Sequence, residues 1–303
     1  MRIRLMPVVT MMVLAAAGCS FGQGADDATE STVPATTTAP ADCPGCETRI
    51  TYTFAQRDGA KPEPADLDSL RQVIGDRLAR NGYAAKTSVS GGSVVATVRD
   101  TAGEGARVYG RIPSLHLRPV LAVAERTQPT TAPQPVPGDL RALRQSTDHD
   151  TQIEVLNSLD CAGADPFAGT DDPSLPLITC ATDRTEAFLL GPSRIDGRQV
   201  DTVIAGLNTR QARHEIDLAF TATGSDAWAS LTRDSINKRV AFVLDSTVLS
   251  APKVMQGPQM GGRTTISGDF TAESATALAR DIRQTSTPLT VSSVDISVIR
   301  PKK

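Results

Sequence analysis

The first nineteen residues constrain this chain more than any other segment. Arg2 and Arg4 precede an apolar run from Leu5 to Ala17. That run is too short to cross a bilayer as a stable helix and has the layout of an export signal. It ends in Leu14-Ala15-Ala16-Ala17-Gly18-Cys19. Small residues ahead of a cysteine suit the extended segment that a signal peptidase threads through its active site. A thiol at the new N-terminus can then carry a thioether-linked diacylglycerol. Residues 1–18 are therefore expected to be a lipoprotein signal peptide and Cys19 the lipidation site, although Ala16 stands where a lipobox more often has Leu. No later run reaches 18 apolar residues, so the acyl anchor is the expected membrane attachment, and the body must fold in water on the extracytoplasmic side of the cell membrane.

That compartment governs the reading of the cysteines. Cys43, Cys46, Cys161 and Cys180 remain beyond Cys19, and an even number in an exported protein points to disulfides. Cys161 and Cys180 bracket a loop rich in Asp, Pro and Gly, which a bridge would restrain by roughly 3 kcal/mol on chain-entropy grounds. Cys43-Pro44-Gly45-Cys46 has two readings. It can be a local structural bridge, or the redox pair of a thiol–disulfide enzyme. Redox sites of this type follow a strand and open a helix, whose dipole lowers the first thiol's pKa. Here the motif precedes an expected strand, which favours the structural bridge.

Composition narrows the partners. Apolar residues make up 40% and charged residues 21% of the chain, with only 4% aromatic, so the core must be built from Val, Ile, Leu and Ala. Net charge is −3, and −5 once Arg2 and Arg4 leave with the signal. No basic stripe interleaves with aromatics, which argues against nucleic acid as a partner.

Residues 19–47 hold almost no large apolar side chain besides Phe21 and Val33 and read as a disordered tether, with Thr36-Thr37-Thr38 a weak hint of O-linked sugar. Residues 48–125 read as βαββαβ, a ferredoxin-like split βαβ. The elements are a strand at 49–54, a helix from Pro64 to about Asn81, a hairpin around Gly91-Gly92, a short helix at 105–111, and a strand at 115–123. Residues 126–186 read as a Pro-rich linker, a short helix and the disulfide loop. Residues 187–303 read as a second α+β unit. Its helices are expected at 197–207, 225–232 and 271–285, and its strands at 215–220, 239–244, 247–250, 264–267 and 289–298.

No HExxH, GxSxG, P-loop or GxGxxG context is present, so no catalytic residue, cofactor or resident metal is expected. Asp148-His149-Asp150 reads as an exposed charged turn rather than a metal site. Asp171-Asp172 read as solvated loop acids, and Trp228 as core. His116 falls on an expected strand and His214 just before one.

Several segments taken in order resemble the extracytoplasmic P1 region of the protein-export subunit SecD. Residues 67–98 are similar to the P1 base. Leu189-Leu190-Gly191-Pro192 with Ile195-Asp196-Gly197 is similar to the lead into the P1 head, and residues 226–232 to its amphipathic helix, with 235–239 leading to the next strand. The most specific stretch is Val240 to Pro252, followed by Gly261-Gly262-Arg263 and Ile266 to Thr271. Pro288-Leu289 stands where the family has a comparable element. The resemblance implies a P1-base-like unit followed by a P1-head-like unit, no enzymatic activity, and a module that binds translocating or unfolded polypeptides or Sec-type translocon components. Two departures stand out. A lipobox replaces the family's first membrane helix, and Ser246 stands where the family usually has Gly after Asp245. The implied contact surface is the turn Asp245-Ser246 with the loop carrying Met255, Gln256, Met260, Gly261 and Gly262, because Met supplies adaptable apolar surface. A structural envelope lipoprotein without a client remains the alternative.

Overall fold

Alternation of Ile50, Tyr52 and Phe54 against polar neighbours gives β1 (Glu47–Gln56), whose apolar side chains all point into one core. The computed structural model describes residues 45–99, 106–126, 139–162, 165 and 167–300. Helix α1 (Pro64–Arg80) starts at a proline, which costs no helical hydrogen bond in the first turn. It adds Leu67, Leu70, Ile74 and Leu78 to the same core. β2 (Ala85–Ser90) and β3 (Ser93–Arg99) form the expected hairpin, with Gly91 at φ +60°. A short 3-10 turn at Arg107–Gly110 closes the same core. There Tyr52 donates to the Ala106 carbonyl at 3.0 Å, and a Cβ on Gly110 would lie 1.9 Å from the Tyr52 ring.

The fourth strand of this sheet is not the one expected. β4 (Leu115–Glu125) leaves for another sheet, and β13 (Leu289–Ile299) takes the place beside β1, giving the antiparallel order β13-β1-β3-β2. The split-βαβ reading within 48–125 is corrected accordingly. The reason lies in burial. Leu115, His116, Leu117 and Arg118 are all buried in succession, a pattern that only a strand covered on both faces can satisfy. β13 is alternately half-buried and exposed, which suits the edge of a sheet covered on one face.

β4 is the middle of the second sheet, of order β11-β10-β4-β6-β5, with short β7 (Ile195–Asp196) also paired to it. The others are β5 (Leu177–Cys180), β6 (Glu186–Leu190), β10 (Val240–Leu244) and β11 (Thr247–Ser250). Helices α2 (Leu140–Arg144) and α3 (His149–Ser158) cover one end, around Val155, Leu156, Ile178 and Leu189. Asp148-His149-Asp150 is not a turn. Asp148 caps α3 by accepting from the Thr151 amide at 2.9 Å. The bridge Cys161–Cys180 is formed, with Cα atoms 5.7 Å apart.

A third sheet, β12-β9-β8, combines β8 (Val200–Asn208), β9 (Arg213–Phe220) and β12 (Arg263–Phe270). Residues 197–207, expected as a helix, are a 3-10 turn at Gly197–Gln199 followed by β8. The near-continuous β-branched run Val200, Thr202, Val203, Ile204 favours the extended form. Helices α4 (Ala222–Asp234) and α5 (Ala272–Gln284) fill the space between this sheet and β4–β10. Trp228 is core, as expected, with Phe220 and Phe242 ring centroids at 5.6 and 6.2 Å.

Candidate polypeptide-binding site

Two residues of the expected contact surface form the turn between β10 and β11. Asp245 (φ 48°) and Ser246 (φ 66°) both sit in the left-handed region, and Leu244 pairs directly with Thr247 across them. This is the backbone of a two-residue primed turn, where glycine is the comfortable residue. Ser246 occupies it with both its hydroxyl and its carbonyl engaged. Its hydroxyl donates to Asp171 Oδ1 at 2.5 Å and accepts from the Gly169 amide at 2.9 Å. Its carbonyl accepts from the Thr179 hydroxyl. Asp171 in turn accepts from Arg118 at 2.6 Å, with both side chains essentially inaccessible. Arg118 also donates to the carbonyls of Leu175 (2.8 Å) and Gly191 (3.1 Å). Asp171 is therefore a buried structural acid and not the solvated loop acid its sequence context suggests. Asp172 remains outside this pair and caps its own loop through Ser174.

Asp245 ties the turn to the first sheet's helix. Its carboxylate accepts from the Ser114 amide at 2.9 Å and from Arg77 of α1. Arg77 also donates to the Arg111 carbonyl at 3.0 Å and faces Asp281 of α5 at 3.8 Å, while Arg80 bonds Asp281 at 2.7 Å. The sequence carried a signal for Arg77. It stands three residues after Ile74 and one before Leu78, inside the apolar stripe of α1, where a charge needs a buried partner. These residues flank a cleft of about 600 Å³ lined by Tyr109, Leu249, Phe270, Leu278 and Asp245. On the other side of β4 from this turn, His116 is buried beside Ser193, with Nδ1 3.1 Å from the hydroxyl. That hydroxyl donates to the Ile195 carbonyl, so Nδ1–H is the donor to Ser193. Burial holds the His116 pKa below the usual histidine value. Arg118 adds to this, while Asp171, Asp196 and Asp245 oppose it.

The second half of the expected surface lies elsewhere. The Val254–Gly262 loop starts where the Val240 amide bonds the Pro252 carbonyl, at the end of β10 opposite the Asp245-Ser246 turn. Five strand residues, about 16 Å, separate the two. Val254 is buried and exchanges backbone bonds with Lys238 and Asn237 at 2.8 Å. The Gln259 amide bonds the Thr232 hydroxyl at 2.9 Å, and a Cβ on Gly257 would meet the Thr232 carbonyl at 2.6 Å. The backbone is thus latched to the end of α4, while Met255 (67% exposed) and Met260 (76%) project into solvent, as does Gln256. Gly261 is exposed at φ +93°. Gly262 is buried at φ +60°, with Ser225 in the space a side chain would need.

Cys46 is buried and disulfide-bonded, and the residues after it form β1, so no helix N-terminus follows the motif. Cys19 and Cys43 lie outside the described residues. Among the described residues no cluster of three His, Cys, Asp or Glu could hold a metal, and no helix is long and apolar enough to cross a membrane.

Residues 177–289 match the family model of the SecDF P1 head subdomain. The protein translocase subunit SecD of Mycobacterium tuberculosis is 32% identical over 320 residues, covering 80% of this chain. The chain is SecD-like. SecD of Streptomyces coelicolor is 30% identical over 154 residues, covering 47% of this chain and 27% of the relative. A solved structure described as a membrane component SecDF that enhances protein export aligns with 81% of this chain and 98% of its own, at 22% identity and a TM-score of 0.37. The SecD-like chain spans about half, 55%, of the length of the M. tuberculosis relative. The matched head region takes β4 as its central strand from residues that precede the match.

Proposed function

We propose that this chain is a non-enzymatic, membrane-tethered module of protein export, which binds translocating or unfolded polypeptide on the outer face of the membrane. The observation that carries this reading is the relation to the protein translocase subunit SecD over 80% of the chain, head region included. Met255 and Met260 support it. They are flexible, apolar and strongly exposed on a latched backbone, the combination that adapts to many apolar partners. The site is therefore the Met255–Met260 loop, with Gln256 and Gly261 beside the two methionines. The Asp245-Ser246 turn acts as its structural counterpart. Sec-type translocon components are the second class of partner. The tether is the segment between Cys19 and Cys46, since the folded body begins at Cys46 and Glu47 of β1, and its anchor is a lipid on Cys19. A thiol–disulfide role for Cys43 and Cys46 lacks the helix dipole that would activate a thiol.

Titration of the purified chain with a labelled, reduced and carboxymethylated polypeptide tests the binding role. Met255→Asp with Met260→Asp should weaken binding while the melting temperature stays nearly constant. No binding by the wild type at any accessible concentration, or equal binding by both, rejects the reading. Cys19→Ala should move the protein from the membrane fraction to the soluble one, and unchanged partition would reject the anchor.

A further inference from the structure

Strand β8 is the edge of the β12-β9-β8 sheet, and no other segment pairs with its free side among the described residues. The direction of its backbone groups can be assigned. Arg283 of α5 donates to the Val203 carbonyl at 3.0 Å, so that carbonyl points away from β9. In an antiparallel strand the N–H and C=O of one residue point the same way, and the direction alternates along the chain. From Thr202 onward the β8–β9 register is regular. Ala205 and Leu207 therefore also direct their amides and carbonyls outward, while Ile204 and Gly206 bond β9.

Natural sheet edges are usually guarded by lysine, proline, a bulge or a covering segment. Here α5 packs against β8 and its Arg283 guards the Val203 carbonyl, while the bulge near Val200 guards the start. From Ile204 to Leu207 the sequence is Ile-Ala-Gly-Leu, with no charge and no proline. Ile204 is 56% and Leu207 55% exposed, and they stand on opposite faces of the strand. Open backbone groups repeat every second residue, with an apolar side chain on either face. Only another extended backbone complements such a ladder, and it does so with little demand on sequence.

We propose that the β8 edge, centred on Ala205 and Leu207, captures an extended polypeptide segment by adding it as a fourth strand to the β12-β9-β8 sheet. This rests on the polypeptide-binding reading above and supplies its mode of recognition. The affinity comes from main-chain hydrogen bonds at β8, with Met255 and Met260 as a separate apolar contact. A second copy of the chain is the rival occupant, and the test separates the two.

The test uses the full-length chain and the same carboxymethylated polypeptide. Ala205→Pro removes one outward amide and leaves the β9 ladder intact, so it should weaken binding about tenfold. Leu207→Lys, which guards the edge without altering the backbone, should act in the same direction. Hydrogen–deuterium exchange should show new protection at the amides of Ala205 and Leu207 when polypeptide is added. Wild-type binding that survives both substitutions, with no protection at these amides, overturns the edge proposal while leaving the broader reading standing. Absence of wild-type binding defeats both. Protection that grows with protein concentration in the absence of polypeptide assigns the edge to a second copy and overturns the proposal. If Ala205→Pro fails to fold, Leu207→Lys and the exchange pattern decide.

Discussion

The two ends of the β10–β11 hairpin differ in how a loop is held. At one end Asp245-Ser246 is a tight turn with Ser246 fully buried and bonded to Gly169 and Asp171 of one loop and to Thr179 of β5. At the other, the Val254–Gly262 loop is fastened by its backbone and leaves two methionines in water. The first end joins layers of the fold, from α1 to the disulfide loop. The second presents surface. Both are short, Gly- or Ser-bearing connections in sequence. The difference comes from what the chain elsewhere brings against them.

The comparison can be broken most forcefully at Asp171. Removing its carboxylate leaves Arg118 as an unpaired charge with no access to water, so Asp171→Ala should cost about 3–5 kcal/mol. A denaturant midpoint within error of wild type would show that the turn is not anchored there. Next comes the staple beneath it. Cys161→Ser and Cys180→Ser should each cost roughly 3 kcal/mol, and the double variant little more, because a single bond is lost in every case. Additive losses in chemical denaturation would contradict this.

Smaller effects sharpen the contrast. Ser246→Ala should destabilise by about 1–3 kcal/mol, since Asp171 and the Gly169 amide both lose a partner. Ser246→Gly should cost less, because glycine relieves the left-handed backbone. Equal losses would mean that backbone conformation contributes nothing here. The pH profile comes next. Because burial depresses the native His116 pKa, the unfolded chain takes up its proton first, near about 6.5. Stability is fully present above that value and falls as pH drops below it. His116→Gln should flatten the melting-temperature profile between pH 7.5 and 5.5, and an unchanged slope would reject the assignment. The smallest effect belongs to the other end. Met255→Asp with Met260→Asp should alter stability by no more than about 0.5 kcal/mol. A larger loss would make that loop core as well.

Local pattern determined the elements whose reasons are local. The alternation of Ile50, Tyr52 and Phe54, the apolar stripe of α1, the Gly91 hairpin, the strands around Asp245 and the pairing of Cys161 with Cys180 were all legible, and so was the SecD-like character of residues 240–271. Tertiary structure decided what depends on distant partners. Two strands of similar apolar content, 115–125 and 289–299, belong to different sheets because one is covered on both faces and the other on one. Asp171 looks like any loop acid until Arg118, 53 residues earlier, is folded against it. Asp245-Ser246 reads as an exposed turn until Arg77, 168 residues before Asp245, reaches it. A hydrophobic period records which face of an element is buried. It does not record what buries it, since that contact is made by residues far away in the chain.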